Sequence, residues 1–218
     1  MSPDHRQPAA PAPPPGGLGA ILAAGAGARF GGGKLLAPLA GRPLLLWPLA
    51  AAQAAGLDRV LVVAGAEIET LRAALPADPR LELIHNPGHA QGMGTSLALA
   101  AGLAQARQVR WLVVLLGDMP LAAPETIAAV AAAAMAAPAG AAAALAGGRR
   151  CHPVAFAPRH FPALARLTGD RGGRDLLASL GDGLVLVPAP AHACLDVDTP
   201  ADLRRAEALL AAKRAHRP

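Results

Sequence analysis

Short, nearly unbroken apolar runs recur along the chain. Leu18–Ala24 (LGAILAA), Arg59–Ala64 (RVLVVA), Leu81–His85 (LELIH), Trp111–Leu116 (WLVVLL) and Leu184–Val187 (LVLV) have the length and residue type of strands. Runs this continuous predict strands covered on both faces. Pro43–Ala55, Glu67–Leu75, Thr95 to about Ala106, Pro124–Pro138 and a last segment from Pro200 read as helices between and after them. Pro43 stands at the first turn of its helix, and Pro48 strains or kinks it. Gly140–Ala146 reads as a weaker strand. The alternation implies an α/β fold: three layers, Rossmann-like, with a mostly parallel central sheet and Trp111–Leu116 as its central strand. Ligands of such a sheet bind beyond the carboxyl ends of the strands, so the loops that follow strands carry the chemistry.

The first such loop lies in Leu18–Leu39, LGAILAAGAGARFGGGKLLAPL, where Gly25, Gly27, Gly31, Gly32 and Gly33 surround two cations, Arg29 and Lys34. Glycines admit the positive φ angles of a loop wrapped around an anion, and the cations neutralise a polyphosphate held there. Two familiar phosphate loops fail the test. A Walker A loop needs glycine where Ala28 stands and a hydroxyl where Leu35 stands. A dinucleotide fingerprint needs a small residue at Phe30 and an acidic residue after the second strand, which ends Val62-Val63-Ala64-Gly65. A Gly-rich surface turn is the plain alternative.

Four more segments carry candidate chemistry. Asn86–Leu97 (NPGHAQGMGTSL) leads into a helix start whose hydroxyls and free N–H groups suit a base or sugar, Gly92 and Ser96 being the candidates; N-capping by Thr95 or Ser96 is the alternative. Asp118, in Gly117-Asp118-Met119-Pro120, directly follows the most apolar strand, about six residues too early to cap the next helix. Thr168–Leu177 (TGDRGGRDLL) flanks two glycines with Arg171 and Arg174, a place for two guanidinium groups to converge on an anion, or else a solvated turn. In Cys194–Leu203 (CLDVDTPADL), strand alternation puts Asp196 and Asp198 on one face, with Asp198 or Thr199 capping the last helix as the alternative.

Together these segments resemble the nucleotidyltransferases with the molybdopterin-guanylyltransferase-like fold, whose signature has the form L-A-A-G-x-G-x-R-x-G-x-x-K. The resemblance runs from residue 18 to about 210. It implies that Leu22, Ala23, Ala24, Gly25, Gly27, Arg29 and Lys34 wrap the triphosphate of a nucleotide, that the G-M-x-x-S loop with Gly92 and Ser96 lies near the base, and that Asp118 and Asp198 hold Mg²⁺. Arg29, Lys34 and Asp118 are then the catalytic residues. An H-P-V segment followed by an apolar residue and Phe, here His152 to Phe156, implies an acceptor site of His152, Arg171 and Arg174; a buried, hydrogen-bonded histidine is the other reading of His152. G-D-R-G-G-R, with Gly173 where the subgroup has Ala, and D-V-D-T-P resemble most the cytidylyltransferase branch that handles molybdenum cofactor. That branch implies CTP and molybdopterin as substrates, Mg²⁺ as cofactor, and a molybdoenzyme of the xanthine dehydrogenase type or its chaperone as recipient. A GTP- or sugar-phosphate-using enzyme of the same fold and a non-catalytic molybdopterin-binding insertion chaperone are the rival readings.

Composition narrows this picture. With 53% hydrophobic but only 2% aromatic residues and no Tyr, the core must be Ala, Leu and Val. A chain of 218 residues accommodates one well-buried α/β domain. Residues 1–17, rich in Pro and Ala, read as a tail outside the fold. Residues 18–214 read as one domain, with a nucleotide-binding half at about 18–120 and an acceptor half at about 121–200. No apolar run reaches the ~18 residues that span a bilayer, and the N-terminus has no signal-peptide apolar region, so no membrane partner is expected. The net charge of +5 concentrates after residue 203, where Arg204, Arg205, Lys213, Arg214 and Arg217 face only Glu207. A nucleic-acid surface needs a spread of cations with aromatic platforms, which is not seen here. Cys151 and Cys194 fit neither a disulfide framework nor a zinc site, and the expectation is free thiols in a cytoplasmic protein.

Overall fold

The computed structural model describes residues 13–25, 27, 30–170 and 172–215, without the side chains of residues 214 and 215. Seven strands form the central sheet: β1 (Gly17–Ala23), β4 (Val60–Ala64), β5 (Leu81–His85), β6 (Trp111–Leu116), β7 (Ala141–Ala146), β8 (Arg149–Phe156) and β9 (Val185–Pro188). Their order is β5-β4-β1-β6-β8-β7-β9, which puts β6 in the middle. β1 pairs in parallel with β4 and β6, β4 with β5, and β7 with β9, while β8 runs antiparallel to both β6 and β7. The sheet is therefore mostly parallel, as the continuous apolar runs imply.

Alternation along each strand builds the two outer layers. Ile21, Val62 and Val113 face helices α1 (Leu46–Ala54) and α4 (Pro124–Ala136), meeting Leu49, Ile127 and Val130. Ala20, Val63 and Val114 face α3 (Met93–Ala106), α5 (Phe161–Leu164) and α6 (Arg174–Ser179), meeting Leu97, Phe161 and Leu177. Helix α2 (Ile68–Ala74) adds Leu71 to the first layer. A third cluster at the carboxyl end of the sheet joins Leu39, Leu44 and Leu121 to Val197 and to Ala206 and Leu210 of α7 (Pro200–Ala215).

Two expectations change. Pro43 does not open α1: Arg42–Pro43 forms β3, paired antiparallel with β2 (Pro38–Leu39), and the helix begins at Leu46. Pro48 therefore falls in the first turn, where a missing N–H costs little, and no kink is needed. The description also extends into the segment expected to be tail. Gly17 opens β1, the Trp111 indole N–H donates to the Pro14 carbonyl at 2.9 Å, and Gly16 N–H donates to the Asp58 carboxylate at 2.7 Å. A side chain at Gly17 would meet the Trp111 ring at 2.0 Å, so glycine makes room for the largest buried residue of the core.

Candidate active site

β1 and β6 are neighbours, and their carboxyl ends open side by side with Leu22 opposite Leu116. After β1 the chain passes Gly25 and Gly27, then Gly31, Gly32 and Gly33, whose φ angles of 89°, 91° and 61° no L side chain adopts without strain. Gly33 N–H donates to the Glu67 carboxylate at 2.9 Å. A single 3₁₀ turn, Lys34–Leu36, then points Lys34 inward, only 8% exposed. Arg29 and its neighbours Ala26 and Ala28 lie outside the described residues.

The Lys34 ammonium donates to Asp118 Oδ2 at 2.7 Å and to Asp198 Oδ1 at 3.1 Å. Three residues far apart in the chain thus meet in one cluster. Burial opposes the lysine's charge, but its hydrogen bonds and proximity to Asp118, and then to Asp198, outweigh that and hold its pKa above the ordinary value. Asp118 reaches this position because Gly117 N–H donates to the Leu22 carbonyl at 2.9 Å, binding the end of β6 to the end of β1. Asp198 reaches it on an extended segment rather than a strand. Val197 between the two aspartates is fully buried and donates its N–H to the Asp118 carbonyl at 3.0 Å, while Asp196 and Asp198 both line the cavity. The shared face expected for the two carboxylates is therefore present, though no sheet creates it.

Of the two capping candidates, Thr199 caps α7 and the Asp198 side chain does not. The Thr199 hydroxyl and N–H donate to Asp202 Oδ2 at 2.7 and 2.9 Å, and Asp202 N–H donates back to Thr199 Oγ1 at 3.2 Å. This reciprocal box leaves the Asp198 side chain directed at Lys34. Among the described residues no group of three or more His, Cys, Asp or Glu could hold a metal ion. Two carboxylates converging on one cation, with the lysine ammonium as stand-in, nevertheless suit Mg²⁺, which takes one or two carboxylates and fills its remaining positions with water and substrate phosphate.

The two aspartates of the cluster, Asp118 and Asp198, line a cavity of about 520 Å³. His152, at β8, and Arg174, at the start of α6, line it; Arg171 lies outside the described residues. Burial lowers the His152 pKa from 6.5 to about 4, Asp118 opposing and Arg150 reinforcing that shift, so its imidazole is neutral near pH 7. Arg149, Arg150, Asp170 and Asp196 also line the cavity and escaped the sequence reading as acceptor-side groups. Desolvation raises Asp196 to about 6, with Asp118 and Asp198 adding and Lys34 opposing.

The loop after β5 contains a buried residue that the sequence reading did not single out. Asn86 follows β5 directly, is 4% exposed, and donates from Nδ2 to Thr95 Oγ1 and Ser96 Oγ, both at 2.9 Å, while its Oδ1 accepts from Gly88 N–H at 2.9 Å. Ser96 is 2% exposed and does not line the cavity. The N-cap of α3 is Gly92, which makes no side-chain cap, so neither hydroxyl caps the helix; both serve the loop's frame instead. Gly92 and Gly94 pack directly on the loop at Thr168, Gly169 and Asp170. Gly94 N–H donates to the Gly169 carbonyl at 2.8 Å, and a side chain at Gly92 would meet Asp170 Oδ1 at 2.4 Å.

Free thiols are not found. Cys151 and Cys194 form a disulfide at the cavity wall, with Cα atoms 5.6 Å apart. Their separation of 43 residues hid the pairing, which appears only once β8 and the turn before Leu195 are brought together.

Residues 19–184 match the MobA-like NTP transferase domain. The purine catabolism protein PucB of Bacillus subtilis is 33% identical over 191 residues, covering 84% of this chain and 92% of PucB. The bifunctional protein GlmU of Geobacter sulfurreducens is 38% identical over 115 residues, 52% of this chain; the chain spans only 24% of the length of that relative. Among solved structures, Rv0371c of Mycobacterium tuberculosis in complex with manganese has a TM-score of 0.73 at 27% identity, covering 88% of this chain and 97% of that one.

Proposed function

Because the chain belongs to the family of MobA-like NTP transferase domains, we propose that it transfers CMP from CTP to the terminal phosphate of molybdopterin, forming the cytosine dinucleotide and releasing pyrophosphate. The observation that supports the reading is the convergence of Lys34 on Asp118 and Asp198, two aspartates that line the same cavity as His152 and Arg174. Nucleotide chemistry and acceptor chemistry thus share one space. The choice of CTP rests on the motifs G-D-R-G-G-R and D-V-D-T-P.

In this reading a phosphate oxygen of the acceptor attacks the α-phosphorus in line as the bond to the β-phosphate breaks. The acceptor phosphate is already a competent nucleophile, so the protein supplies position and charge rather than a general base. Gly25, Gly27 and the preceding Leu22, Ala23 and Ala24 shape the loop around the triphosphate. Lys34, with Arg29, stabilises charge on the α-phosphate and the departing pyrophosphate. Asp118 and Asp198 would hold Mg²⁺, which would supply charge neutralisation to the triphosphate when bound. Gly92 borders the base, and Ser96 acts through Asn86 by fixing the loop. Neutral His152 offers a hydrogen bond and Arg174, with Arg171, a charge to the acceptor. The product passes, on the same reading, to a molybdoenzyme of the xanthine dehydrogenase type or its chaperone in the cytoplasm.

The test is pyrophosphate release by the purified protein with Mg²⁺ and molybdenum-loaded molybdopterin, comparing CTP with GTP. Turnover with CTP alone is expected. Preference for GTP overturns the base assignment and keeps the chemistry, and no release from either nucleotide favours a binding protein.

A further inference from the structure

The geometry points to Lys34 as the resident cation of the divalent-metal position: its ammonium fills the point where Asp118 and Asp198 converge, so a divalent ion enters only as Lys34 leaves. The inference rests on the reading of those two carboxylates as the metal-holding pair.

Lys34 Nζ lies 2.7 Å from one carboxylate and 3.1 Å from the other. Mg²⁺ needs ligand oxygens at about 2.0–2.1 Å, and two cations do not fit between the same two oxygens. The point between the carboxylates is therefore already held by an internal cation, which balances one of their two negative charges. A free divalent ion must displace that ammonium and leave it without a partner in a mostly buried position. A triphosphate changes the balance, because it offers Lys34 new anionic oxygens and the metal new ligands in the same event.

The local structure lets the side chain move alone. Gly33 N–H is held by the Glu67 carboxylate at 2.9 Å, and the Lys34 turn is closed by Ala37 N–H donating to the Lys34 carbonyl at 3.1 Å. With the backbone pinned on both sides, the four-carbon stem swings the ammonium from carboxylates to phosphate. Metal and triphosphate consequently bind as a pair, each raising the affinity of the other by the same factor, which linkage requires.

Mn²⁺ alone tests this, with the free ion followed by electron paramagnetic resonance on the full chain without nucleotide or acceptor. Wild-type protein is expected to bind Mn²⁺ weakly, and Lys34→Met to bind it about tenfold or more tightly. Lys34→Met/Asp118→Asn should lose the gain. Arg149→Met removes a cation from the cavity that the two aspartates line without vacating the position, and should leave Mn²⁺ affinity much closer to wild type. Lys34→Gln, which keeps a neutral donor to the carboxylates, replaces Lys34→Met if the latter does not fold. Equal Mn²⁺ affinity in wild type and Lys34→Met overturns the inference. So does a gain that survives Asp118→Asn, or an equal gain from Arg149→Met, which indicates through-space charge alone. Protein that shows the expected metal pattern but releases no pyrophosphate keeps this inference and loses the proposed reaction; the converse result does the reverse.

Discussion

Lys34 serves two partners in turn, and its mutation separates their contributions. As a donor to phosphate in the transition state, its loss in Lys34→Ala should slow pyrophosphate release by about 10² to 10³, the range for deleting one such donor. Asp118→Ala should do the same. A normal rate in either variant, with the fold verified by circular dichroism, removes that residue from the site. His152 makes a contrasting prediction. Its folded pKa of about 4 lies below the ordinary 6.5, so its contribution to stability is complete above about pH 6.5 and is lost as the pH falls through about 4. Its imidazole resonances should not titrate between pH 8 and pH 5 by NMR. A midpoint near 6.5 there would mean that the ring is solvated rather than built into the cavity wall.

At the level of elements, Lys34 and Asp118 follow one rule and the loops around Gly92 and Gly169 another. Lys34 and Asp118 come from loops directly after buried strands, where an open parallel sheet presents its ligands. That rule made them legible, and it applies equally to Asn86 after β5. The loops around Gly92 and Gly169, by contrast, are defined by their contact with each other. A methyl group at Gly94 would meet the backbone oxygens of Gly169 and Thr168 at 2.7 and 2.8 Å, and backbone cannot step aside as a flexible side chain can. Gly94→Ala should therefore push the two loops apart, costing about 1–3 kcal/mol in denaturant unfolding. It should also raise the KM for nucleotide and acceptor together. A change confined to nucleotide KM would show that the loops act independently.

Across the whole molecule, the sheet gathers residues spaced along nearly the entire chain. Lys34 and Asp198, 164 residues apart, share a hydrogen bond because β1 and β6 are adjacent and Val197 is anchored to the Asp118 backbone. The Cys151–Cys194 bond fastens the same region from the acceptor side, four residues before Asp198 and next to His152. Closing a loop of 43 residues restricts the unfolded chain. Oxidised wild type should accordingly exceed the Cys151→Ser/Cys194→Ser variant by about 2–4 kcal/mol in chemical unfolding. Equal stability, with two thiols titrated in the untreated protein, would mean the bond does not form in solution.

The chain alone marked the α/β layering and six of the seven sheet strands, because a strand buried on both faces must be apolar throughout and leaves that mark in the sequence; β8, whose first half is polar, left no such mark. It also determined Lys34, Asp118 and Asp198 as candidates, because a glycine run with a lysine and carboxylates beyond apolar strands are local features. Tertiary structure alone decided that Pro43 belongs to a two-stranded ribbon, that Ser96 supports Asn86 inside the loop frame, and that Cys151 meets Cys194. It also decided that the lysine and the two aspartates share a single point in space. Those outcomes depend on which distant segments become neighbours, and strand pairing and loop packing set that without a periodic trace in the sequence.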